Sequence, residues 1–72
     1  MKETITKKQY LIYLGIMEMI RKNYNTFREY EKMLINIMGE ENADYVTDEI
    51  YGTESFDMDV ILDKCNLKVE DE

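Results

Sequence analysis

The chain has 72 residues, a net charge of −7, no proline, no histidine and a single cysteine, Cys65. That length holds one domain at most, and a domain this small buries only about 60% of the surface its unfolded chain exposes. One cysteine excludes an intramolecular disulfide, and the lack of histidine removes the commonest metal ligand and general base, so stability must come from packed helices, self-association or both.

Lys2, Lys7 and Lys8 precede an apolar run from Tyr10 to Ile20, which imitates a signal peptide. The run nevertheless holds two tyrosines and Glu18, no small-residue cleavage site follows it, and it falls short of the roughly 20 apolar residues that cross a bilayer. With one reduced cysteine, the expected location is the cytoplasm. Thr6 and Gln9 have the spacing of a capping box and open a first helix at Lys7. Tyr10, Tyr13, Leu14, Met17, Ile20 and Tyr24 recur along it at helical spacing. Leu11, Ile12, Ile16 and Met19 extend its apolar surface beyond the stripe that one core needs. Either the other helices surround it, or those four residues form a homodimer seam in which Gly15 allows close approach.

Thr26 and Glu29 form a second capping box after the linker "NYNT", whose shortness predicts antiparallel packing of the two helices. The face of the second helix is Phe27, Tyr30, Met33, Leu34, Ile37 and Met38, and Gly39 suits its C-terminal turn. A short third helix runs through "ADYVTDEIY", capped by Asn42, with Ala43, Val46 and Ile50 inward and Gly52 at its end. Residues 56–63 alternate almost like a strand, yet Met58, Ile61, Leu62 and Cys65 are spaced for a helix with Ser55 as its cap. A lone strand has no partner for its backbone groups, so the helix is preferred. The expected fold is an all-α, compact bundle of three to four short helices in one domain.

Chemistry-bearing motifs are few. "DMDVILDKCNLK" begins like a calcium loop with Asp57, Asp59 and Asp63, but Leu62 stands where glycine is needed and Lys68 where a bidentate glutamate is needed. Cys65 has no histidine to activate it and reads as a small buried hydrophobe. No cofactor motif is present, and the chain is expected not to be an enzyme.

Charge is the most informative feature. Residues 1–39 hold seven bases against four acids, a net of +3, while residues 40–72 hold two bases against twelve acids, a net of −10. The second half therefore favours a basic partner over nucleic acid or an anionic membrane. Its candidate contacts are Glu40, Glu41, Asp44, Asp48, Glu49, Glu54, Asp57, Asp59 and Asp63, with Tyr45 and Tyr51 as rigid anchors. Positions 44 and 48, and 59 and 63, share helix faces, and such carboxylate rows can engage arginines and lysines that otherwise grip phosphates. The competing reading is a small dimeric DNA-binding regulator that uses Arg21, Lys22, Arg28 and Lys32 around the first linker. A third is a subunit whose exposed first helix completes a partner's fold.

The acid-rich stretch "GEENADYVTDEIYGTESFDMD", the small size and the lack of a catalytic set give a profile that resembles the small acidic proteins of phages and mobile elements, anti-CRISPR proteins among them. The resemblance lies in composition rather than motif. It implies an inhibitor that occludes a basic nucleic-acid-binding surface of a host effector such as a nuclease.

Overall fold

The computed structural model describes residues 2–22 and 27–70. Helix α1 (Lys7–Lys22) starts at the expected capping box. The Gln9 amide donates to Thr6 Oγ1 at 3.0 Å, and the Thr6 amide donates to Gln9 Oε1 at 2.7 Å. Each side chain satisfies an amide that the first helical turn leaves without a carbonyl. Tyr24, the "NYNT" linker and the second box, which needs Thr26, lie outside the described residues.

Helix α2 (Phe27–Met38) and helix α3 (Glu40–Ile50) are separated by Gly39 alone. Gly39 has φ 88° and ψ 158°, a backbone region that is essentially reserved for glycine. Its amide closes α2 by donating to Ile35 O at 3.0 Å, and its carbonyl opens α3 by accepting from the Ala43 amide at 3.0 Å. One residue thus ends one helix and starts the next. This corrects the expected cap: Asn42 lies inside α3, and its side-chain amide donates to Met38 O at 3.2 Å. Helix α4 (Met58–Lys64) confirms the helical reading of this stretch, but its cap is Asp57 rather than Ser55. The Asp57 carboxylate accepts from the Asp59 amide at 3.0 Å.

Two short strands were not expected. Strand β1 (Glu3–Ile5) and strand β2 (Leu67–Val69) pair in parallel, with Glu3 opposite Leu67 and Ile5 opposite Val69. Asn66, at φ 59°, turns the chain out of α4 and into β2; asparagine tolerates this left-handed conformation better than most residues. The two ends of the chain therefore satisfy each other's backbone, which supplies the partner a lone strand would lack.

All six elements contribute to the core. Ile5, Tyr13, Met17, Ile20, Leu34, Ala43, Val46, Ile50, Met58, Ile61, Leu62 and Leu67 are buried together, and Cys65 joins them at the end of α4. The expected inward residues of α3 and α4 are all in this set. Helix α2 buries only Leu34 fully, and Met33 and Ile37, expected on its inner face, are exposed. The radius of gyration is 11.5 Å, close to the roughly 11 Å of a compact chain of this length.

Candidate functional site

Helix α3 carries the most coherent group of charges. Helical periodicity places Glu40, Glu41, Asp44 and Asp48 within an arc of about 100°, and all four are exposed. Among the described residues no base pairs with any of them. The inner side of the same helix is fixed by Ala43, Val46, Thr47 and Ile50, so the acidic arc is held rigidly outward. Glu40 and Glu41 lie in the first turn, where the helix dipole favours negative charge. Asp44 and Asp48 lack that support and repel each other one turn apart.

The remaining acids do not join this face. Glu49 and Asp57 line a shallow cleft of about 170 Å³ between α3 and α4, with Tyr45, Phe56 and Val60. Tyr45 is half-buried and packs against the core there, so it serves the fold as well as any contact. Asp59 and Asp63 share a face of α4, but Lys2 stands beside Asp63. Asp63 forms an ion pair with Lys2, and this contact, above all its hydrogen bond, holds the Asp63 carboxyl below the ordinary aspartate value. Lys7 and Asp59 line the same groove. The expected row of bare carboxylates is therefore absent on α4.

Tyr51 and Glu54 sit elsewhere again. The Tyr51 ring packs on Phe27 with centroids 4.6 Å apart, next to the guanidinium of Arg28, which lies 5.4 Å above the Phe27 ring. Tyr51 and Tyr45 thus pack against different neighbours, Phe27 and the α3–α4 cleft. Arg21 holds the segment after α3: its guanidinium donates to Thr53 O at 3.2 Å and Glu54 O at 2.8 Å, and to Glu18 at 2.9 Å. The Arg21 hydrogen bond, then its charge and Lys22, keep Glu18 below the usual glutamate range against its partial desolvation.

Three of the four bases around the first linker take part in contacts of their own. Arg21 is committed to internal carbonyls, Lys22 pairs with Glu18 at 3.4 Å, and Arg28 lies over an aromatic ring. The docking of Arg21 on the 53–54 carbonyls and the Lys2–Asp63 pair join distant positions that no local pattern marks. Cys65 is buried, and burial pushes its thiol above the ordinary value. Among the described residues, no group of three acids or cysteines is arranged to hold a metal ion, and no helix is long and apolar enough to cross a membrane. Compared with family models, curated proteins and solved structures, the chain matches none.

Proposed function

We propose that the chain is a non-enzymatic binding protein whose α3 carboxylates dock on a basic, nucleic-acid-binding surface of another protein and occlude it. The observation that carries this reading is the arc of Glu40, Glu41, Asp44 and Asp48, exposed and without a basic partner among the described residues. Like charges one turn apart on a helix oppose folding by about 0.2–0.5 kcal/mol per pair. The spacings 40–44 and 44–48 both incur this; the helix dipole favours Glu40 in the first turn, whereas Asp44 and Asp48 have no compensating base among the described residues. Carboxylates fixed on a helix are pre-organised for arginine and lysine, and they raise the rate of encounter with a basic surface. Glu49 and Asp57 extend the negative field across the neighbouring cleft, and Asp63 contributes less because Lys2 pairs with it. A small acidic inhibitor of the kind made by phages and mobile elements, acting in the cytoplasm, fits this role. The DNA-binding regulator is the weaker reading, because Arg21 is committed to the Thr53 and Glu54 carbonyls.

A pull-down from bacterial lysate, with and without nuclease and at low and high salt, tests the proposal. A nucleic-acid-binding protein that is retained after nuclease and released by salt is the expected result. If nuclease strips every retained protein, the acidic arc binds nothing directly and the reading falls.

A further inference from the structure

Leu11, Ile12, Gly15 and Met19 lie within about 100° of arc on the outer side of α1. Among the described residues, Leu11 is the most exposed large hydrophobic, at 64%. Ile16, expected to share this face, is instead buried at 9% and belongs to the core. Gly15 occupies the centre of the exposed face, and a β-carbon built on it would meet nothing within 4 Å. The fold of a single copy therefore does not require glycine there, although glycine weakens a helix interior relative to alanine. Without a side chain, this open position leaves room for the close approach of another backbone.

Beside Leu11 an apolar groove of about 370 Å³ runs between α1, α4 and β2. Tyr10, Leu11 and Val69 form its apolar lining, while Lys7 and Asp59 contribute charges of opposite sign from different elements. Such a surface is complementary to itself. In a two-fold pairing of two such grooves, Lys7 of each copy would face Asp59 of the other, and each Leu11 the apolar lining opposite. A basic partner, by contrast, is attracted to α3 and meets Lys7 here.

We propose that this face of α1, with the adjoining groove, is the seam of a homodimer, separate from the acidic arc of α3. Sedimentation equilibrium over a concentration series tests it. The wild type is expected to dimerise reversibly. Leu11→Glu and Gly15→Leu are each expected to weaken dimerisation by about tenfold or more. Gly15→Leu should do so without lowering the melting temperature of the dilute monomer, because the site is open and leucine favours helix more than glycine does. Lys7→Glu should weaken the dimer, and the double exchange Lys7→Glu with Asp59→Lys should restore it. A wild type that stays monomeric throughout overturns the proposal, as does a dimer indifferent to Leu11→Glu and Gly15→Leu. Asp44→Lys with Asp48→Lys should leave dimerisation unchanged, so the seam and the acidic face succeed or fail separately.

Discussion

Single residues explain how a chain of 72 residues closes its core with so little material. Gly39 ends one helix and begins another with no connecting loop, through a conformation that a side chain would strain. Arg21 ties α1 to the segment that leads into α4, with three hydrogen bonds from one guanidinium. Thr47 is the counterexample: its hydroxyl is buried on the inner side of α3 and finds no hydrogen-bond partner among the described residues. An unsatisfied buried hydroxyl destabilises, and an apolar group of the same shape removes the penalty. Thr47→Val is therefore expected to raise unfolding stability by about 1 kcal/mol, measured by urea denaturation at neutral pH. Thr47 was not legible in the sequence as a core position, because threonine reads there as ordinary helix surface. Gly39 was legible as the end of α2, but not as the cap of α3, since a glycine offers no side chain to signal that role.

At the scale of elements, local chemistry announced the helices and said nothing of the strands. The α1 capping box, the inward spacing of Ala43, Val46 and Ile50, and that of Met58, Ile61, Leu62 and Cys65 are short-range patterns, and each appears in the fold as read. The strands are three residues each, too short to show a period, and their partners stand at opposite ends of the chain. Ile5 is the residue through which this pair reaches the core, at 3% exposure. Truncating it leaves a cavity between the sheet and the helices. Ile5→Ala is expected to cost about 2–5 kcal/mol, seen as a lower denaturation midpoint with helical signal retained below it. A loss under half a kilocalorie would mean that the terminal pair is peripheral to stability. The outer residues of α2 were misread for a related reason. Met33 and Ile37 have core-like spacing, but so small a core has room for Leu34 and only the edges of its neighbours.

For the whole molecule, charge and burial set the pH response and the means of binding. Burial raises the ionisation of both Cys65 and Tyr13 above their ordinary values of 9.0 and 10.0, with Glu3 adding to the rise at Tyr13. Both groups are neutral when protonated, so the folded state holds their protons more tightly than the unfolded chain. Their contribution is complete below the unfolded values and is lost as pH rises through the folded ones. The melting temperature is accordingly expected to fall from about pH 9 upward, and Cys65→Ala should shift the onset towards the tyrosine range. The polarity of the chain was plain from its sequence, whereas the division of the acids among several surfaces was not. The sequence spacing groups 44 with 48 and 59 with 63 alike. Only the tertiary fold brings Lys2 to Asp63 and leaves the α3 arc without a base among the described residues. The central claim is that this arc competes with nucleic acid for a basic surface. It is tested most directly by the dissociation constant of the captured partner for wild type and for Asp44→Lys with Asp48→Lys, each measured with and without duplex nucleic acid. The account expects wild type and nucleic acid to exclude each other and the reversed variant to bind on the order of 100-fold more weakly. Simultaneous binding of wild type and nucleic acid, or unchanged affinity in the reversed variant, would contradict it.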